Sequence, residues 1–443
     1  MIPGAHRARR YLTGIDWIMH SLDDISRHAG GRGTSSQVVL SIDGVISPER
    51  LRRSLETIKR ELPVLGGRVG RDWNLCPCWK YGPETEVSIA LSVVEVEDGE
   101  LERVQRILER HANRDFAEDG QNLQFLLLIT GADHCYLAMH FDHRILDAKG
   151  AEAFLELLRL VDRGEHRDAV ARVELTEPPH LDRWGRRFRG GRMVNRLQRA
   201  LGRRSVAALP VSRTVRRRDT RQHILPFSPE QTRRVKDRIS GAYGPMLVLP
   251  RLLYSVLAPV GRLLRQRDGN AEQYIVPVTV DRRENGKIWE KLLFNHLSFL
   301  FLPIPEEAAR KPHVCRKVVR EELFDQISGG VPDAFYHAAM LTRIAPLPVM
   351  RALSRIPLGG VVGTMYFACL KKASFGKTQY FGGTIDNLFH TPNVPVPPGL
   401  GVCANFFGDR FNLVLSHVDG LLTERETDEL LTGMRERLLD EHS

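Results

Sequence analysis

The stretch MHFDHRILDAKGAEAF, Met139 to Phe154, closes an apolar run, turns through Asp142-His143-Arg144 and enters a segment with helical spacing. His143 and Asp147 stand four positions apart around that turn. Before it, LQFLLLIT, GADH and CYLAMHF read as a strand, a tight turn and a second strand, a β-hairpin. After it, Phe154, Leu157, Leu158 and Val161 recur on one helix face. A histidine on a loop between a strand and a helix is well placed for acid–base chemistry, because an ordinary imidazole is largely neutral at physiological pH. Plainer readings stand beside that one. His143 could be a satisfied polar residue at a strand end, and Asp147 could only cap the helix. His140, His143 and Asp147 also make an H-x-x-H-x-x-x-D string, although no nearby Cys or Glu completes a zinc site.

The flanking segments give the rest of the first half. QVVLSIDG is a predicted strand ending in the turn Asp43-Gly44. Ser47 then caps a helix with Pro48 at its first position; Leu51, Leu55, Ile58 and Leu62 share a face, and Pro63 ends it. The second half repeats the class. A helix opens at Ser228-Pro229, QYIVPVTV and NHLSFLFLPIP are strands, and FNLVLSHVDG is a late strand and turn. A charged C-terminal helix starts at Thr423. The pattern predicts an α/β (α+β) protein with an N-terminal subdomain at 1–180, a connector at 181–222 and a C-terminal subdomain at 223–443. Two halves of similar size place a ligand site between them.

The chain has 443 residues, 42% hydrophobic and 27% charged, enough for two domains of roughly 200 residues. Its six cysteines are sparse, and Cys76-Pro77-Cys78 alone makes no metal site, so reduced thiols in a cytoplasmic protein are expected. The N-terminus lacks a signal-peptide pattern, and Pro250, Arg251 and Pro259 interrupt the most apolar stretch, Gly244 to Leu264. The formal charge is +10, yet residues 181–222 hold 14 Arg against two acids, which leaves the rest of the chain at −2. That distribution argues against a nucleic-acid-binding body and for a local contact of the connector with an acidic surface. In the connector, Val194, Leu197 and Leu201 share one face and Arg192, Arg196, Arg199 and Arg203 point elsewhere, with Gly185, Gly190 and Gly191 expected to break the start of the helix. A solvated linker, an acidic partner such as a carrier protein, and peripheral contact with an anionic membrane all fit; in the last, Trp184, Phe188, Val194 and Leu197 would insert shallowly.

Together these segments resemble the CoA-dependent acyltransferase superfamily, which includes chloramphenicol acetyltransferase, condensation domains, wax ester synthases and polyketide-associated acyltransferases. Its signature is H-H-x-x-x-D-G. The matching stretch here is Asp142-His143-Arg144-Ile145-Leu146-Asp147-Ala148, with Asp142 in place of the first His and Ala148 in place of the Gly, two positions before Gly150. DGVISPERLRRSLETIKRELPVLGGRV, VPVTVDRRE, FNHLSFLFLPIP and FNLVLSHVDGLL are similar to further landmarks and keep the family order over roughly residues 10 to 440. The resemblance implies two chloramphenicol acetyltransferase-like subdomains forming a pseudo-dimer within a monomer. It implies acyl transfer from acyl-CoA or a phosphopantetheine thioester to a hydroxyl or amine, with no metal, no permanently bound cofactor and no covalent enzyme intermediate. The acceptor would be a small molecule or lipid, in lipid or natural-product metabolism. In this reading His143 is the general base. Asp147 is structural and pairs with an Arg, for which Arg282 is the better candidate and Arg283 the reserve. Asn295 supports the site, Ser374 donates to the oxyanion, and Asp142 orients the loop or sets a negative charge beside His143. The altered motif positions also suit a non-catalytic condensation-like binding protein, and a stand-alone condensation domain is the alternative within enzymes.

Overall fold

A computed structural model of the chain describes residues 8–439 except 83, 98, 117–119, 176–182, 212–216, 241–247, 269–271, 355–359, 371, 372 and 374. The hairpin forms as its two apolar runs around a tight turn predict: Leu123–Thr130 and His134–Phe141 pair antiparallel, with Leu127 opposite Leu137. They sit inside a six-stranded sheet in the order Gln379–Tyr380, Gly383–Pro392, Ser36–Asp43, His134–Phe141, Leu123–Thr130, Ile89–Val96. Val39 lies between Ala138 on one side and Phe389 on the other. Strands from residues 379–392 therefore complete the first-half sheet, so a division into 1–180 and 223–443 does not separate the sheets. Helices Pro48–Glu61 and Ala148–Arg163 cover one face, burying Leu51, Leu55, Ile58, Phe154, Leu157 and Leu158. The same core takes in Leu292, Leu293 and Phe294 from the second half.

A second core packs Leu252, Val256 and Val260 of helix Val248–Asp268 against Val276, Leu300 and Leu413. The strands Gln273–Asp281 and Leu297–Pro305 pair as a two-stranded ribbon, and Tyr366–Leu370, Leu400–Phe407, Arg410–Val418 and Thr220–Pro226 form a four-stranded sheet. Ser47 caps its helix through Arg50 N, and Thr423 and Glu426 exchange hydrogen bonds in a capping box. Among the described residues, no helix is long and apolar enough to cross a membrane.

The connector differs from the sequence expectation. It is an unbroken 18-residue helix, Trp184–Leu201; Gly190 and Gly191 are contacts rather than breaks, while Gly185 faces open space. A Cβ at Gly190 would lie 2.5 Å from the Ala334 carbonyl oxygen, so glycine lets the helix press against Val331–Thr342. Val194 and Leu197 pack inward, so they are not available to insert into a membrane.

Candidate active site

Asp142 opens the turn after the hairpin. Its carboxylate accepts from Arg144 N at 2.8 Å and from Arg144 Nε at 2.9 and 2.8 Å. Burial opposes its ionisation, but Arg144 outweighs that and holds the carboxyl at about 2. Asp142 therefore organises the loop, its charge balanced by Arg144. Arg144 Nη1 also faces His20 Nδ1 at 3.4 Å. Burial, then Arg144, push His20 down to about 4, so its ring is a neutral acceptor.

Asp147 ends the turn as N-cap of Ala148–Arg163. Its Oδ1 accepts from Gly150 N at 2.8 Å and Arg283 Nη2 at 2.8 Å; its Oδ2 accepts from His296 N at 2.9 Å and Arg283 Nη1 at 3.0 Å. Both side chains of this ion pair are buried. Burial raises the Asp147 carboxyl, and Arg283 more than offsets it, so the carboxyl lies below its ordinary value. The partner is thus Arg283 and not Arg282. Arg282 extends the antiparallel ladder through its N–H to His296 O, and its side chain leaves on the other side, to Asp333 at 2.5 Å and over the Tyr336 ring. Neighbouring residues at a strand end point opposite ways, and only Arg283 turns toward the motif.

Ala148 has no positive φ, so it adopts the first helical position freely. The close approach falls at Gly150, where a Cβ would sit 2.4 Å from the Leu292 carbonyl oxygen. That contact, a parallel bridge between Leu146 and Phe294, and the bond from Phe294 N to Ile145 O at 2.6 Å bind the motif loop to the segment 292–296. Phe294 takes φ +72, a conformation that disfavours bulky residues. It is held there by the Ile145 bond and by Arg10, whose guanidinium lies 3.4 Å from the ring centroid.

His143 is half-buried between these pieces. Asn295 Nδ2 donates to the His143 carbonyl at 2.9 Å, which fixes the amide so that Asn295 Oδ1 faces His143 Nδ1 at 3.1 Å. An amide oxygen only accepts, so Nδ1 carries a proton, and in the neutral ring the lone pair falls on Nε2. Asn295 is itself held by Asp16, whose Oδ1 accepts from Asn295 N at 3.1 Å. Asp16 Oδ2 accepts from Arg10 Nη1, Thr13 N and Thr13 Oγ1 at 2.9–3.0 Å. The sequence reading had not singled out Asp16, although Thr13-x-x-Asp16 is a legible capping box at the start of helix Gly14–His28.

Of the other expected residues, Ser374 lies outside the described residues, as do 176–182 of the connector. His140 is turned into a different environment: Gln124 Nε2 donates to its Nδ1 at 2.6 Å, and its ring stacks on Phe116. Among the described residues no disulfide forms, and no group of three or more metal-ligating side chains occurs.

The elements that hold His143 also wall an apolar cavity of about 470 Å³. Ile18 and Leu22 line it from the helix bearing Asp16, Phe299 from the strand following Asn295, Phe335 from helix Val331–Thr342, and Val194 and Leu197 from the connector helix. Its size and lining are those of a small-molecule site.

The sequence matches no family profile and no curated protein sequence. Solved structures do match. The trichothecene 15-O-acetyltransferase TRI3 from Fusarium sporotrichioides superposes with TM-score 0.70 at 15% identity, over 97% of this chain and 95% of its own. The first condensation domain of the CDA synthetase gives 0.65 at 16% identity, over 98% of each chain. A mutant starter condensation domain of rhizomide synthetase RzmA, in complex with C8-CoA and Leu-SNAC, gives 0.65 at 11%, over 98% and 95%. From the loop geometry and the whole-chain superpositions, the chain has the two-subdomain α/β fold shared by condensation domains and the TRI3 acetyltransferase.

Proposed function

We propose that the protein transfers an acyl group from a thioester, acyl-CoA or a carrier-bound phosphopantetheine, to a hydroxyl or amine acceptor. The carrying observation is the Asn295 clamp, which holds the proton of a neutral His143 ring on Nδ1 and so directs its lone pair to Nε2. In this reading Nε2 removes the acceptor proton as the acceptor attacks the thioester carbonyl, and the protonated ring returns it to the departing thiolate. No bond to the enzyme forms. Asp147 with Arg283, and Asp16 through Asn295, are positioning residues. Asp142 takes the first motif position by a different device, an ion pair with Arg144, and so does not require loss of activity. The named substrates of the structural relatives, a trichothecene hydroxyl, C8-CoA and Leu-SNAC, span both ester and amide formation, so the acceptor class stays as broad as hydroxyl or amine. The cavity offers room for the apolar part of the donor or acceptor.

The test is a panel of acyl-CoAs and pantetheine thioesters of increasing chain length against small alcohols and amines, read by thiol release. The native chain should turn over at least one pair, and His143→Ala should lower that rate by roughly 10²–10⁴-fold with an unchanged melting curve. Equal turnover by His143→Ala would remove His143 from the reaction. Tight binding without turnover in both proteins would favour the non-catalytic reading.

A further inference from the structure

The connector helix has two unlike faces. The inner face lines the cavity. On the outer face, Trp184, Phe188, Arg192, Arg196 and Arg199 follow one another at steps of four, four, four and three, the spacing of a single helical stripe, and Arg203 continues it just past the end. All six are exposed. The helix carries six arginines and no acid. Arg217 and Arg221, farther along the connector, are engaged by Asp115, Glu109 and Asp419, whereas Arg192, Arg196, Arg199 and Arg203 make no ion pair among the described residues.

Other exposed apolar tips stand on elements linked to that helix. Arg187 lies over the Trp184 ring, and the helix packs at Gly190 on Val331–Thr342, just after which Arg343 Nη2 reaches Cys76 Sγ at 3.7 Å. Beside Cys76, Leu75 lies in the turn 72–76, which Asp72 closes through Asn74 N and Cys76 N. Arg71 Nη1 donates to the carbonyls of Leu75 and, at 3.1 Å, Ile344, which joins this turn to the one after helix Val331–Thr342. At these tips Trp73 is 85% exposed, Leu75 65% and Ile344 58%. Large apolar side chains this open, on three separate elements and rimmed by arginines, are poorly suited to water and well suited to a bilayer interface. Apolar tips beside a row of arginines match anionic headgroups lying over an apolar interior, which favours a lipid surface over a folded partner.

We propose that this face docks the protein on an anionic membrane surface, the arginine stripe lying along the headgroups while Trp73, Leu75, Ile344, Trp184 and Phe188 enter the interface. The inner side of the same helix then holds the apolar cavity next to the bilayer, in reach of acyl chains or apolar acceptors. This surface stands apart from the acyl-transfer reading, because its test reads binding and not turnover.

The experiment is co-sedimentation of the full chain with phosphatidylcholine vesicles, with and without phosphatidylserine, across salt. Three proteins are compared: native, a charge variant with Arg192, Arg196, Arg199 and Arg203 changed to Gln, and a tip variant with Trp73, Leu75 and Ile344 changed to Ser. Matching thermal melts keep folding out of the comparison. The native chain should bind phosphatidylserine vesicles and be released by salt. The charge variant should bind at least tenfold more weakly at low salt. The tip variant should bind more weakly at every salt concentration, and native tryptophan emission should shift to the blue on binding. Failure of the native chain to bind phosphatidylserine vesicles at low salt overturns the proposal, as does equal binding by all three proteins. Binding of soluble polyglutamate through the same arginines, without vesicle binding, would also overturn it and assign the face to an acidic protein.

Discussion

Changing Asp147 to Ala should unfold the protein far more readily than loss of a surface charge would. The carboxylate accepts four hydrogen bonds: Gly150 N, His296 N and two from Arg283. Removing one member of a buried ion pair costs about 3–5 kcal/mol, because the other charge stays desolvated. Here the low end applies, since Arg283 keeps the Lys291 carbonyl at 2.9 and 3.1 Å and the half-exposed Asp281 at 3.1 Å. Loss of the helix cap adds about 1 kcal/mol. The sum is about 4 kcal/mol, measured as a shift in urea midpoint at constant slope. Asp147→Asn keeps the cap and loses the charge, so it should fall between the two. The pH dependence has a fixed sign. The Asp147 carboxyl is depressed in the folded state, so its contribution is complete above its ordinary unfolded value near 4 and fades as pH falls through the lower folded value. The native minus Asp147→Ala difference should therefore be flat near neutrality and shrink in acid. A neutral-pH difference below about 1 kcal/mol would refute the clamp, as would a difference that grows in acid.

Arg282→Ala should cost under about 1 kcal/mol, because its partner Asp333 is largely exposed; Arg283→Ala should approach the Asp147 value in the same urea titration. Asn295→Ala should lower kcat with little change in KM, through loss of the His143 tautomer, and the pH–rate profile should move with it; an unaltered profile would remove Asn295 as a positioning residue. Val194→Trp, which fills the cavity from the connector helix, should cut kcat/KM for long acyl chains or bulky acceptors relative to the smallest active substrate, checked on the thioester panel.

Local signals in the sequence carried much of the fold. Two apolar runs around a tight turn set the hairpin Leu123–Thr130 and His134–Phe141, and Ser47-Pro48, Asp147 and Thr423 marked helix starts, because turns and caps act within a few residues. The ordered landmarks placed His143, Asp147 and Asn295 in one site although 152 residues separate His143 from Asn295. What escaped depends on distant chain meeting distant chain. Strand Gly383–Pro392 enters the first-half sheet because Ser36–Asp43 offers it an unpaired edge, a pairing without local signature. The choice of Arg283 over Arg282 rests on which side of a strand end faces the motif. Gly190 read as a helix breaker because its cost is local, while its benefit, contact with Ala334, exists only once another helix has arrived. Asp16 was missed: the Thr13-x-x-Asp16 box is only a local capping signal, and the other Asp16 oxygen reaches Asn295, 279 residues away, only in the folded chain. The sequence by itself determined the elements, the motif and the charge of the connector. Only the tertiary structure decided which buried groups satisfy one another, because a desolvated donor or charge takes whichever partner packing brings within reach.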